Sequence, residues 1–270
     1  TGPYARRPGY ASVAEAMGGM RYVMGHPDRP PIRPNLSLGD TIAGLHAAFA
    51  ALVAVYARDI LGTGRGQVVD VSLAEAVFNM TESMLPEYDK LGIVRERQGT
   101  KLSGIAPTNT YRCRDGRYVV IGGNGDSIFR RLMYAIGRAD LAEDPRLAHN
   151  DGRVAHEAEI DAAIEAWTQE HTLEEVVRTL EAAEVPCGPI YSIADLVQDP
   201  HFQARGLFEE VELAPGDRVK IPAVVPFLSE TPGRTRWIGP PLGAHNREIF
   251  TQLLGLSEQE LAELEAEGVI

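Results

Sequence analysis

The sequence is poor in cysteine, in paired metal-ligand residues and in positive charge, and each shortage removes a class of protein. Only Cys113 and Cys187 stand in 270 residues. They lie far apart, and neither has a second Cys or a His beside it at metal-ligand spacing. A disulfide framework is therefore excluded and a zinc site is not expected. Two reduced thiols are what a cytoplasmic protein carries. Lys and Arg number 26 against 38 Asp and Glu, a formal net charge of −12. That balance argues against a nucleic-acid backbone or an anionic membrane as the main partner, although a local basic or backbone-amide site can still hold an anion. No basic segment followed by an apolar stretch opens the sequence, so no secretory signal is expected. The longest apolar run, residues 42–56, holds His46 and is closed by Arg58 and Asp59. It reads as a buried helix, too short and too alanine-rich to span a bilayer. There is no Gly-x-Ser-x-Gly, so a hydrolase triad has no nucleophile.

What is present is an ordinary globular composition, 44% hydrophobic and 24% charged, long enough for one large or two ordinary domains. Val13, Met17, Met20 and Met24 recur at helical spacing within residues 10–25 and predict a buried face broken at Gly18-Gly19. The connector from Pro27 to Pro34 cannot be regular helix or central strand. Gly39-Asp40 introduces a helix over 41–60, rich in small residues that allow close packing, and Gly62-Thr-Gly-Arg-Gly66 stops it. Residues 67–73 alternate like a short strand, and a second helix over 73–85 stops at Pro86. Beyond residue 95 the pattern changes. Asp115-Gly116 between two β-rich runs predicts a hairpin, followed by helices near 127–136, 156–169 and 173–183. Val185 to Ile190 reads as extended, 192–197 as a short helix, 208–213 and 218–225 as strands, and 246–270 as helical. Thr172 with Glu175, and Ser257 with Glu260, form capping-box patterns.

Several glycine and histidine patterns carry no chemistry on inspection. Gly62-x-Gly64-x-Gly66 follows a helix and precedes a strand, the reverse of the order a dinucleotide loop needs. Gly122-Gly-Asn-Gly125 has the right order but neither the remaining spacing nor a P-loop lysine, and reads as a tight connection. His149 and His156 flank Asp151-Gly152 without ligand geometry. Asp40, judged by its neighbours alone, reads as a helix N-cap.

A set of segments in a consistent order changes the weight of Asp40. Residues 7–20 (RPGYASVAEAMGGM), 36–45 (LSLGDTIAGL), 62–73 (GTGRGQVVDVSL) and 185–190 (VPCGPI), with Pro241–His245 and Ala266–Ile270, resemble the class III CoA-transferases. The resemblance implies an α/β fold with a large α/β domain and a smaller α+β domain. It divides the chain into 1–96 (large domain with the catalytic aspartate and linker), 97–197 (small domain) and 198–270 (return to the large domain). It also implies an interlocked homodimer. The opening Thr1-Gly2-Pro3-Tyr4 reads like the middle of a loop, and family members carry a Rossmann-like half before this point. The expectation is a C-terminal portion whose N-terminal half lies elsewhere, either active as it stands or a fragment that works only with that partner.

By the same resemblance Asp40 matches the catalytic aspartate, and a helix N-terminus, which favours the charged form, is compatible with that role. Carboxylate attack on an acyl-CoA thioester gives an aspartyl mixed anhydride, then an aspartyl-CoA thioester from which a small acid takes CoA. Gly39 is expected to leave room for the acyl group. Pro8, Gly9, Tyr10 and Ala11 match the segment contacting the pantetheine end of CoA. Gly104, Ile105 and Ala106 match the glycine-rich loop over the substrate, whose N–H groups could stabilise negative charge. Ala11 stands where formyl-CoA members have glutamate, which leans the donor towards succinyl-CoA and the acceptor towards a small dicarboxylate. The related α-methylacyl-CoA racemases place a histidine thirty positions before the aspartate, where this sequence has Tyr10, a phenol and a poor base at neutral pH. Racemization is the alternative activity. No metal and no permanently bound cofactor are implied, and coenzyme A enters as substrate. Arg33 and Arg65 are carboxylate partners by charge alone and read as surface residues.

Overall fold

A computed structural model describes residues 2–214 and 216–270; Thr1, the start of the expected opening loop, and Pro215 lie outside the described residues. The chain forms two compact units, Thr1–Ile190 and Tyr191–Ile270. In the first, α1 (Ala11–Met17) breaks at Gly18-Gly19, as its glycines predict, and a 3-10 turn follows over Met20–Val23. The buried positions of α1 are Ala11, Ala14 and Glu15, whereas Val13 and Met17 are exposed, which corrects the expected apolar face. Small side chains win there because α1 packs closely against two helices, α2 (Leu38–Asp59) and α3 (Leu73–Phe78).

Helix α2 begins earlier than expected, runs 22 residues, and is long and apolar enough by length and composition to cross a membrane. It is not the buried helix its sequence suggested: among its residues only Gly39 and Ala43 are buried, while Leu45, Phe49 and Leu52 are exposed. Gly62 and Gly64, both at positive φ, close its C-terminus, with the Thr63 and Gly64 amides reaching back to Ala57 and Arg58. Residues 67–72 form no strand, since no partner strand lies beside them among the described residues. The helix expected over 73–85 is two, α3 and α4 (Met84–Leu91). Pro86 sits in the first turn of α4, where its missing N–H breaks no intrahelical bond.

The main core of this unit lies among residues 111–187. Strands β1 (Thr108–Arg112) and β2 (Tyr118–Gly122) form the hairpin that Asp115-Gly116 predicts, with Tyr111 opposite Val119 and Gly116 at positive φ. β3 (Cys187–Pro189) pairs antiparallel with β2. Val119 and Ile121 of β2 point inward and meet helices α5 (Asp126–Ala135) through α9 (Leu173–Ala182). Between them run α6 (Ala139–Ala142), α7 (Asn150–Ala155) and α8 (Glu157–Gln169). The fully buried Phe129, Leu132, Ile160, Ile164 and Leu180 each stabilise by roughly 1.5–3 kcal/mol. The Thr172–Glu175 capping box starts α9. Cys113 and Cys187 are both free thiols; burial raises both, Cys187 to about 11.

The second unit carries α10 (Ile193–Gln198), α11 (Pro200–Ala204), the hairpin β4 (Phe208–Ala214) with β5 (Asp217–Pro222), a π-helical turn over Glu248–Leu253, and α12 (Glu258–Ala266). The tail is thus two short helical pieces rather than one helix, and the Ser257–Glu260 capping box opens the second.

Two helical glycines separate space from backbone freedom. A Cβ on Gly152 of α7 would collide with the carbonyl oxygen of Arg146, whereas one on Gly44 of α2 would meet nothing. Gly152→Ala should lose about 2–3 kcal/mol in urea unfolding, and Gly44→Ala should gain about 0.5–1 kcal/mol from helix propensity.

Candidate active site

Asp40 occupies the third position of α2, after Ser37 at the cap, so it is a first-turn residue and not the N-cap. It is exposed, and its side chain makes no hydrogen bond or ion pair among the described residues. The turn that carries it is held from α1. Glu15, fully buried, accepts the Gly39 N–H through Oε1 at 3.1 Å. A Cβ on Gly39 would lie 3.2 Å from Glu15 Cγ and 3.4 Å from the Ala11 carbonyl oxygen. The small residue at position 39 thus suits the close approach of α1. The same approach brings the Ala11 carbonyl, at the start of α1, beside the residue that precedes Asp40. Arg33 does not stand free: its Nε is 3.8 Å from Glu15 Oε2.

Pro8, Gly9 and Tyr10 line a cavity of about 540 Å³ together with Val13, Met17, Asp70 and residues 72–75. Tyr10 is 82% exposed and extended at the N-terminus of α1. Ala11 is buried and contributes its backbone to the Gly39 contact rather than a side chain to the cavity.

Gly104, Ile105 and Ala106 belong to a loop pinned at both ends. The Lys101 ammonium pairs with Glu157 at 3.0 Å and Asp161 at 2.9 Å on α8. Asn150 donates to the Gly104 carbonyl at 2.8 Å and accepts the Ala106 N–H at 3.2 Å. Arg153, with no exposed surface, donates to the carbonyls of Ala106, Leu147, Ala148 and Asn124 and to Asp126 Oδ1. Asp161 also accepts from Tyr111 and Asn109. Burial first, and then Asp161, drives the Tyr111 hydroxyl well above the ordinary phenol range. Among the described residues no hydrogen bond or ion pair joins residues 104–106 to Asp40. The nearby turn over residues 101–103 instead shares a cavity of about 190 Å³ with Met20 and Val23, beyond the end of α1.

Sequence reasoning missed Glu15, Asn150 and Arg153. Glu15 had a legible signal, a charge four residues after Ala11 on a face of small residues. Arg153 and Asn150 had none, because their partners are mostly backbone groups, several of them on distant segments.

An exposed aspartate on a first turn braced by a crossing helix suits a carboxylate nucleophile. The sequence model of CoA-transferase family III matches residues 1–246, and the chain belongs to that family. Over its full length it is 47% identical to a protein of Chloroflexus aurantiacus named Succinyl-CoA--D-citramalate CoA-transferase, covering 67% of it. It is 38% identical to the Succinyl-CoA--L-malate CoA-transferase alpha subunit of the same organism, again over the whole chain and 63% of that protein. A CAIB/BAIF family protein from Brucella suis superposes over 94% of the chain and 65% of its own length, with a TM-score of 0.77 and 31% identity. The chain thus has the α/β fold of family III and spans about two thirds of the length of these relatives.

Arg153 and Asp126 set two expectations. Arg153→Met would leave four carbonyls and a carboxylate without their donor and should cost about 3 kcal/mol or more in urea unfolding. His149 first, and Arg153 second, hold Asp126 below the usual carboxylate range. The stability this adds is complete above about pH 4 and is lost as pH falls through the lowered value. Asp126→Asn should therefore flatten the acid side of the stability curve while leaving its neutral shape intact.

Proposed function

We propose that the chain carries the nucleophile and the pantetheine-facing part of a CoA-transferase acting on succinyl-CoA and a small dicarboxylate. The observation that carries this reading is the exposed, unbonded Asp40 carboxylate on a turn braced by α1. The carboxylate attacks the thioester carbonyl, the C–S bond breaks, and CoA thiolate leaves with the electron pair. The thiolate then attacks the aspartyl carbonyl of the mixed anhydride and releases the donor acid. The acceptor carboxylate attacks the aspartyl-CoA thioester, and the returning thiolate takes the acceptor's acyl group and frees Asp40. Holding the thioester beside the carboxylate supplies the effective concentration that makes a weak nucleophile adequate.

Pro8, Gly9, Tyr10 and Ala11 would lie along the pantetheine arm, and the Gly104, Ile105 and Ala106 amides would close over the acyl group. The names of the Chloroflexus relatives support succinyl-CoA as donor. The part of those relatives with no counterpart in this chain supports a nucleotide-binding portion outside these 270 residues. An interlocked homodimer, action in the cytoplasm, and function without nucleic acid, membrane, metal or permanently bound cofactor complete the reading. Tyr10 in place of a histidine disfavours racemization.

Intact-mass analysis tests it. The chain, with any polypeptide that copurifies, is mixed with succinyl-CoA and then hydroxylamine. A hydroxamate on Asp40, absent from Asp40→Asn, is the expected result. An unmodified Asp40 in a preparation that turns over succinyl-CoA contradicts it.

A further inference from the structure

Glu15 is the only carboxylate with no exposed surface among the described residues. Moving a carboxylate out of water costs several kcal/mol unless it is well paired, and Glu15 is poorly paired. Its Oε2 accepts no hydrogen bond among the described residues, and the Arg33 Nε that faces it at 3.8 Å belongs to a side chain that is 43% exposed. What Glu15 does make is one bond, from the Gly39 N–H to Oε1.

That N–H is one of the free donors at the start of α2. The helix does not cap itself there: the Ser37 side chain makes no cap bond, and Thr41 Oγ1 turns back to the Ser37 carbonyl. An acidic side chain in a first turn is drawn to such free N–H groups. Asp40 is the residue next to Gly39, so its carboxylate is the natural local acceptor, and a carboxylate committed to a backbone donor is a weaker nucleophile. Glu15 takes the donor instead, and Asp40 makes no hydrogen bond or ion pair among the described residues.

We propose that Glu15 is a positioning residue whose carboxylate occupies the Gly39 N–H and thereby keeps the neighbouring Asp40 carboxylate free to attack. The role rests on the reading of Asp40 as nucleophile. It predicts that the acceptor atom matters more than the charge. Glu15→Gln keeps an oxygen for Gly39, whereas Glu15→Met fills the same space without one.

Rapid-quench mass spectrometry on the chain, with any copurifying polypeptide, follows adduct formation at Asp40 after addition of succinyl-CoA. Glu15→Met should form the adduct about tenfold more slowly or worse, one hydrogen bond's effect on a barrier, with KM for succinyl-CoA within about twofold. Glu15→Gln should recover the rate to within about threefold of the unmodified protein. A folded Met variant that reacts at the unmodified rate overturns the proposal, as does a Gln variant that is folded but as slow as Met. If the Met variant does not fold, amide exchange at Gly39 decides: protection in both the unmodified protein and Glu15→Gln supports the proposal, and exchange at the free-amide rate in the unmodified protein overturns it. Adduct formation that persists in Asp40→Asn would overturn this role and the underlying reading together. An adduct confined to Asp40 with indifferent Glu15 variants would overturn the Glu15 role alone.

Discussion

The crossing of α1 over the first turn of α2 at Gly39 is the contact on which the site depends. A Cβ at position 39 would press on the Glu15 side chain at 3.2 Å, and the small buried residues of α1 allow the helices to approach. This contact places the Ala11 carbonyl and the buried Glu15 carboxylate against the turn that bears Asp40.

The loop over residues 101–106 is built on a different principle. Polar and charged side chains fix the loop there: Lys101 ties one end to two acids of α8, while Asn150 and Arg153 hold the other through the Gly104 and Ala106 carbonyls and the Ala106 N–H. Arg153 suits this task because its planar fork offers several donors in fixed directions. Buried and fully bonded, it sets the path of the loop more firmly than a chain of apolar contacts would. Leu102 and Ser103 lie between the two anchors.

Much of this was legible in the sequence. The hairpin at Asp115-Gly116, the capping boxes at Thr172 and Ser257 and the helix stop at Gly62 are set by local chemistry, and local chemistry is what a sequence displays. Asp40 is singled out by the family resemblance and not by its neighbours, which pointed to a cap three residues from the real one. The illegible parts are tertiary. Alternation in 67–73 predicted a strand, but a strand needs a partner that the periodicity does not specify. The apolar helix 41–60 predicted burial, but periodicity does not say which faces meet a neighbour within the same chain. Glu15 looked like a charge on a helix because its partner, the Gly39 amide, lies on another element.

Oxygen exchange tests the Asp40 mechanism most directly. In the proposed sequence the acceptor's carboxylate oxygen bridges to the aspartyl carbonyl and stays behind when CoA thiolate takes the acyl group. With an acceptor acid labelled in both carboxylate oxygens by oxygen-18, the peptide carrying Asp40 should gain heavy oxygen as product thioester forms. Formation of the product thioester with Asp40 unlabelled would contradict the mechanism and mean that CoA passes between the acids without the aspartate.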